Sequence, residues 1–512
     1  MKQKKHTSTG NSIARLVLVG ITLLLQVVWI IFLAIRLNEY SIYVSLCTSV
    51  LALLVVLKLY GKHTNSAMKM PWIMLILVFP VMGLSLYLLV ELLGNRRLIR
   101  KRLQAVREKL DAQPPQSPET QRHLENLDPG IANQFRYLTD RVGAQVYEDT
   151  DVVYYADAAD AFAALKAAVS QAESFIFLEY FIIEDAESFQ ELRQLLLEKV
   201  RQGVEVRIMY DDVGCIGYLN LQFARQLQRD GIACRIFNPV IPILNLFLNN
   251  RDHRKITVVD GKVGFTGGFN LANEYFGLAH PYGVWKDTGI RLEGPAVCGL
   301  TRLFLELWNV QNFTDSDCSR YLQPAPAQFA TGFVAPFGDN PMDSERVAEN
   351  VYLNLISQAK KSLYLITPYL IITDEMRSAL GLAAKRGVDV RIITPGIPDK
   401  KVIYSVTRSY YNALVIQGVR IFEYTPGFCH AKQCICDGEI ASIGTSNLDY
   451  RSLYLHFEND VLLYGCDAVA QMAADFEALF PQCREVTEKY RSGRSAMLRI
   501  GQCILRLFAP LM

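Results

Sequence analysis

Two stretches of this 512-residue chain hold the residues that could do chemistry. "HRKITVVDGKVGFTGGFN" begins at His253, and "HAKQCICDGEIASIGTSN" begins at His430. Each sets a lysine two residues after the histidine and an aspartate five residues after the lysine, then runs through Asp-Gly into a Gly-rich segment ending in asparagine. Side chains alternate across a strand, so His253, Lys255 and Thr257 fall on one face, as do His430, Lys432 and Cys434. That face presents an imidazole beside an ammonium group. Asp260-Gly261 and Asp437-Gly438 end the two runs in turns. Beyond them Gly267, Gly268 and Asn270, and in the second copy Gly444, Thr445, Ser446 and Asn447, offer small residues and an amide where backbone can approach a phosphate.

Two such faces around one cavity supply two histidines, two lysines and two asparagines, a donor set that suits a phosphodiester anion. One neutral histidine attacks phosphorus while the other, protonated, gives its proton to the departing alcohol. A phosphohistidine follows, and the second histidine then takes the proton of an incoming hydroxyl. Lysines stand where a magnesium ion would neutralise phosphate charge, so neither a metal nor a cofactor is expected. Asp260 and Asp437 complete the candidate catalytic set. Each imidazole needs an acceptor on its other nitrogen, and Asp287 in "WKDTG" and Glu458 in "HFEND" are the candidates. A lone HxKxxxxD is weak, because any strand followed by a turn can contain it; two copies placed alike carry far more weight.

The elements around these stretches repeat as well. "SFIFLEYFII" from Ser174, a helical pattern through "ELRQLLLEKVRQG", then "VEVRIMYDD" from Val204 and a helix through "LQFARQLQRDG" predict βαβ units and an α/β sheet. "KSLYLITPYLII" from Lys361, "KRGVDVRIITPG" from Lys385 and "GVRIFEY" from Gly418 repeat that order. The period is too long for a solenoid unit and reads as a duplicated domain, two α/β lobes sharing one central site. The expected boundaries are 134–325 and 326–495. They are preceded by a basic helix and Pro-rich linker at 95–133, whose "QPPQSPETQ" is not expected to hold a helix. The first lobe inserts "PVIPILNLFLNN" from Pro239, either a buried hairpin or a loop that touches lipid. Asp211 and Asp212 suit a helix cap better than a ligand. Arg451 in "LDYRS" suits a carboxylate or a phosphate.

Charge is nearly balanced, at 53 Lys+Arg against 51 Asp+Glu, so nucleic acid is not an expected partner. The N-terminal 1–94 is apolar and reads as a membrane anchor of two or three helices. Leu16 to Ile35 is an uncharged run of 20, Pro71 to Leu93 is similar, and Ile42 to Leu57 is shorter, a third span or an arm of a re-entrant hairpin. Basic residues flank both ends of this region, which places both on the cytoplasmic side if the spans are two. Eleven cysteines without paired or zinc-like spacing agree with a reducing compartment, and Cys429 reads as a small buried filler. The tail 496–512 could lie on the bilayer as an amphipathic helix or pack as a buried one.

The chain resembles the phospholipase D superfamily, whose mark is the paired HxKxxxxD motif, and within it the bacterial cardiolipin synthases. "PWIMLILVFPVMGLSLYLL", "NNRDHRKITVVDGKVGFTGGFNLANEYFG", "WKDTGIRLEGPAV", "GTSNLDYRSLYLHFEND" and "LRLFAPLM" spread the likeness over almost the whole chain. The resemblance implies a multi-pass bacterial membrane protein that converts two phosphatidylglycerol molecules to cardiolipin and glycerol through a phosphatidyl-histidine. It implies His253 as nucleophile and His430 as acid and base; the residues alone assign neither role. Gly268 stands where many members have serine, leaving only its backbone amide for a substrate. A hydrolase releasing phosphatidic acid, a synthase using a nucleotide-activated donor, and an inactive membrane scaffold are the rival readings.

Overall fold

The computed structural model describes residues 42–92, 96–110, 117–240, 250–312 and 330–492 continuously, with scattered positions elsewhere. The insertion at 241–249, much of Leu16–Ile35 and most of 496–512 lie outside the described residues.

Runs rich in β-branched and aromatic residues form the strands of the first half: β1 (Asp151–Tyr155), β2 (Phe175–Tyr180), β3 (Glu205–Asp211), β4 (Ala233–Phe237), β5 (Lys255–Val259), β6 (Val263–Gly267), β7 (Val284–Lys286) and β8 (Gly289–Glu293). All but β7 make one sheet in the order β1-β8-β6-β5-β2-β3-β4. β2, β3 and β4 are parallel, linked by helices such as Glu187–Arg201, and β5, β6 and β8 extend the sheet antiparallel.

The second half carries β9 (Phe333–Asp339), β10 (Ser362–Ile366), β11 (Asp389–Pro395), β12 (Arg420–Tyr424), β13 (Gly427–Cys429), β14 (Gln433–Cys436), β15 (Ile440–Gly444), β16 (Glu458–Tyr464) and β17 (Cys483–Glu485). Its sheet order is β17-β12-β11-β10-β14-β15-β16-β9. The run β8-β6-β5-β2-β3-β4 thus recurs as β16-β15-β14-β10-β11-β12, which is the duplication seen in the sequence. Both sheets share a core in which Phe177, Ile256, Val258 and Ile290 join Ile393, Ile435, Ile443 and Val461. The apolar helix Val297–Gln311 packs on β2 and β5 and also on β9.

Two short backbone pairings cross between the halves. β7 runs parallel to β13, and the His430 amide donates to the Lys286 carbonyl at 2.7 Å. Opposite them Asp252 bridges Phe457, the Phe457 amide donates to the Arg251 carbonyl at 2.8 Å, and the His253 amide donates to the Phe457 carbonyl at 2.9 Å.

Three expectations change. The run Pro71–Leu93 is not one helix but two of 13 residues, Ser66–Val78 and Pro80–Leu92, because Pro80 has no N–H to continue the ladder and Phe79 leaves helical geometry at φ −130°. Each is about 20 Å long, against about 30 Å of hydrocarbon. They pack on each other and on Ile42–Tyr60. Among the described residues, no helix is long and apolar enough to cross a membrane. The Pro-rich linker does hold a helix, Pro118–Leu127, since Ser117 caps it and Pro118 sits in the first turn, where its missing N–H leaves no gap. That helix and Pro129–Tyr137 set Leu124, Ile131 and Phe135 against Val351 and Leu355, so this segment belongs to the core of the second half.

The third correction concerns Asp260 and Asp437, which the sequence placed among the catalytic residues. Each ends its strand at φ +55°, seven residues and about 20 Å of extended chain from its histidine. The Asp260 carboxylate accepts from the amides of Glu173, Ser174 and Phe175 at 2.7–2.8 Å, and Asp437 does the same for Lys360, Lys361 and Ser362. They tie each turn to the start of β2 or β10. Asp437→Ala is expected to cost about 1–3 kcal/mol in denaturant unfolding while sparing turnover per folded molecule. Burial alone would raise the Asp437 pKa, but the three amides hold it below the usual value. Its contribution is therefore present above about pH 4 and lost as pH falls through the folded value. The stability difference between wild type and Asp437→Ala should shrink on acidification.

Candidate active site

His253 and His430 line one cavity of about 430 Å³ at the junction of the halves, together with Asn270, Asn447, Arg451 and His456. Each histidine follows a backbone pairing with the other half, and that sets its partner. His253 Nδ1 lies 2.8 Å from Glu458 Oε2, and His430 Nδ1 lies 2.7 Å from Asp287 Oδ2. Both candidate carboxylates therefore face a histidine, and each faces the one from the opposite copy. Both carboxylates are almost wholly buried, and in each histidine the Nδ1 contact leaves Nε2 as the nitrogen that no carboxylate holds.

The supports of the two carboxylates differ. Thr445 Oγ1 donates to Glu458 Oε2 at 2.6 Å, and Ser452 Oγ donates to Oε1 at 2.5 Å. Gly268 holds the Thr445 position in the first copy. A Cβ there would lie 2.0 Å from Asp287 Oδ1, so the carboxylate occupies the space that a side chain would fill. The Gly268 amide is not left for a substrate, because it donates to the Thr288 carbonyl at 3.0 Å.

The lysines lie beneath the histidines, each about 1% exposed. Lys255 Nζ donates to the His253 carbonyl at 2.5 Å. Lys432 Nζ donates to the His430 carbonyl and stands 2.7 Å from its Nδ1 and 3.1 Å from its Nε2. Of the other phosphate-binding candidates, only the asparagines reach the cavity. Asn270 is braced by the Ile182 amide and the Tyr275 hydroxyl, whereas the Asn447 Oδ1 has no partner among the described residues. Ser446 turns its hydroxyl to Asp460, and Gly267 packs against the Thr288 carbonyl, where a Cβ would collide. Asp211 caps a helical turn at Val213 and Gly214, and Cys429 is fully buried as packing.

The sequence reading missed His456, two residues before Glu458. It is 8% exposed, neither ring nitrogen makes a hydrogen bond among the described residues, Nδ1 stands 3.6 Å from Glu458 Oε1, and its ring centroid is 5.5 Å from that of His253. It also missed the aromatic wall: Phe181 stands against His253, and Tyr275, Trp285 and Phe428 stand against His430. Nothing in a strand-and-turn pattern marks these residues as neighbours.

Burial and the nearby lysines push His253 well below the usual imidazole value and His430 down to about 4. Burial lowers Lys255 to about 7 and Lys432 to about 8. Burial would raise Asp287, but His430 and Lys432 hold it below the usual carboxylate value. At neutral pH the free site thus has neutral imidazoles above two lysines that burial leaves only partly charged. His253, His456 and Glu458 bring potential metal-ligand atoms within 4.8 Å of one another. Lys255, Lys432 and Arg451 all act electrostatically on His253, so the surroundings favour an anion over a cation.

Gly268→Ser is expected to displace Asp287 and release His430 from its acceptor. Turnover should fall about 100-fold or more, the scale of a lost acid–base contribution, with folding retained by circular dichroism. An unaltered rate would contradict the close approach of Gly268 to Asp287.

A family model described as "Cardiolipin synthase, PLD-like domain" matches residues 165–291 and 352–480, half of the chain and one segment in each lobe. A second, "Phospholipase D-nuclease N-terminal", matches 49–91. A protein of Halalkalibacterium halodurans named cardiolipin synthase is 33% identical over 463 residues, 90% of this chain and 91% of that one. Cardiolipin synthase 2 of Bacillus cereus is 33% identical over 473 residues, 91% of this chain and 90% of that one. An uncharacterized protein of Streptococcus mutans is 40% identical over 466 residues, 89% of this chain and 99% of that one. Among solved structures, phosphatidylserine synthase of Haemophilus influenzae aligns with a TM-score of 0.56 at 14% identity, covering 75% of this chain and 98% of that one, which is a likeness of fold. By its duplicated motifs, its two matched lobes and these relatives, the chain belongs to the phospholipase D-like cardiolipin synthases.

Proposed function

We propose that this protein is a phosphatidyltransferase that joins two phosphatidylglycerol molecules into cardiolipin and releases glycerol. The observation that carries the reading is the pair of crossed histidine–carboxylate contacts facing one cavity above two lysines. One imidazole Nε2 attacks phosphorus, and the P–O bond to the glycerol headgroup breaks. The other histidine, its pKa raised by the bound phosphate anion, gives its proton to the departing oxygen. That histidine, now neutral, takes the proton of a hydroxyl on a second phosphatidylglycerol. The resulting oxygen displaces the histidine from phosphorus, giving cardiolipin. Lys255 and Lys432 offset the charge on the phosphoryl oxygens, Asn270 and Asn447 line the space beside them, and Asp287 and Glu458 hold the rings in register.

Membrane attachment through 1–94 is part of the proposal, with the lobes at 134–325 and 326–495 on the cytoplasmic face of a bacterial membrane. Leu46, Val50, Leu53, Leu54, Leu57, Leu77, Val78 and Phe79 are each half or more exposed, a concentration of apolar surface that supports contact with lipid. The broken hairpin 66–92 is better suited to entering one leaflet than to crossing the bilayer. In the described part of the tail, Leu505 and Ala509 pack on the core of the second half, which supports the buried alternative there.

The purified protein in phosphatidylglycerol vesicles is expected to yield cardiolipin plus glycerol by mass spectrometry, with none from His253→Ala or His430→Ala. Phosphatidic acid as the sole product would make it a hydrolase. A pH series gives a second check. Both lysines are charged below their lowered pKa values and neutral above them, so attraction for phosphate is present at pH 6 and lost as pH rises through about 7 to 8. The kcat/KM for phosphatidylglycerol should fall over that range.

A further inference from the structure

We propose that Arg451 receives the phosphate of the second phospholipid, the one whose hydroxyl attacks; this rests on the two-lipid reading above. Joining two phosphatidylglycerols brings two phosphates within one glycerol of each other. The reacting phosphate meets the histidines and lysines. The other remains an anionic diester throughout, and drawing it into the cavity without a cation would be costly.

Arg451 is the second residue of the helix Tyr450–Leu455 and lines the cavity with both catalytic histidines. Its Nε is enclosed without a hydrogen-bond partner, and among the described residues its side chain forms no hydrogen bond or ion pair. Arg251, which lines the same cavity, is paired with Asp211, as Arg207 is with Asp315 and Glu205 and Arg408 with Glu423. The neighbouring carboxylate, Asp449, is turned to its own helix, where Oδ1 accepts from the Ser452 amide at 2.9 Å. A largely buried guanidinium on which Asp449 and Asp211 act only through charge, with no direct carboxylate contact, is what an anionic ligand would complete, and its planar fork matches two phosphate oxygens. The same cavity is lined by His456 and Asn447, whose Nε2 and Oδ1 make no hydrogen bond among the described residues and suit the hydroxyls of a glycerol headgroup.

Duplication does not account for the guanidinium. Arg451 lies four residues past Asn447, and four residues past Asn270 the first copy has Glu274, which also faces the cavity. Opposite charges at equivalent positions give the cavity a polarity that the repeat alone would lack. A reaction whose two substrates are the same lipid in different roles, donor and acceptor, requires such an asymmetry.

The test compares two acceptors on the purified full chain in phosphatidylglycerol vesicles: a second phosphatidylglycerol, read as cardiolipin, and isotopically labelled free glycerol, read as its exchange into phosphatidylglycerol. Free glycerol uses the same phosphatidyl-histidine but carries no phosphate. Arg451→Gln is expected to lower cardiolipin formation about tenfold or more relative to glycerol exchange, and Arg451→Lys, which keeps charge but not the fork, should fall between. Parallel loss of both reactions would place Arg451 at the reacting phosphate or in the fold and overturn the proposal, as would equal retention of both. Wild-type protein that exchanges glycerol without making cardiolipin would overturn the two-lipid reading and this proposal with it.

Discussion

The site depends on two backbone pairings that cross between the halves. The Phe457 carbonyl accepts from the His253 amide, and the Lys286 carbonyl accepts from the His430 amide. Strand geometry then leaves little freedom: each carboxylate stands one residue beyond the carbonyl that holds the opposite histidine, since Glu458 follows Phe457 and Asp287 follows Lys286. Each half alone has a histidine without its acceptor and a carboxylate without its histidine. The shared core, with Val297–Gln311 wedged between the sheets, keeps those two registers fixed. Duplication therefore did more than double a motif, because neither copy is complete without the other.

Burial determines the chemistry available to that arrangement. Removing the histidines from water favours their neutral form, and the lysines beneath push the same way, so the free site holds neutral imidazoles, the state the proposed attack on phosphorus requires. In the proposed reaction an arriving phosphate offsets that cationic field, which favours a proton on one imidazole. The same anion favours the charged state of lysines whose pKa values burial has lowered. Substrate binding and protonation of the site are thus coupled, and the carboxylates keep the rings oriented while this happens.

Much of this was legible in the sequence. The repeat of "VEVRIMYDD" in "VDVRIITPG", each preceded by its helix, announced parallel strands at matching places in two sheets, and the paired histidines announced one site. What depends on register between distant segments was not legible. The crossing of Asp287 to His430 requires β7 to pair with β13 across the halves, and no local pattern encodes that. Asp260 and Asp437 belong to the motif yet stand at the far end of their strands, because a strand of five residues in the first copy and four in the second separates them from the histidines. Ser446 and the Gly268 amide were offered as phosphate ligands from small size alone, and tertiary partners claim both. In the N-terminal region, hydropathy recorded the apolar run Pro71–Leu93 but not the break at Phe79 and Pro80.

The claim that each half orients the histidine of the other is tested most directly by imidazole ¹⁵N NMR on protein labelled at its seven histidines, comparing wild type with Glu458→Gln and Asp287→Asn. The crossed arrangement predicts that Glu458→Gln shifts the His253 resonances and leaves His430 in place, and that Asp287→Asn does the reverse. Shifts confined to the histidine of the same copy would contradict it.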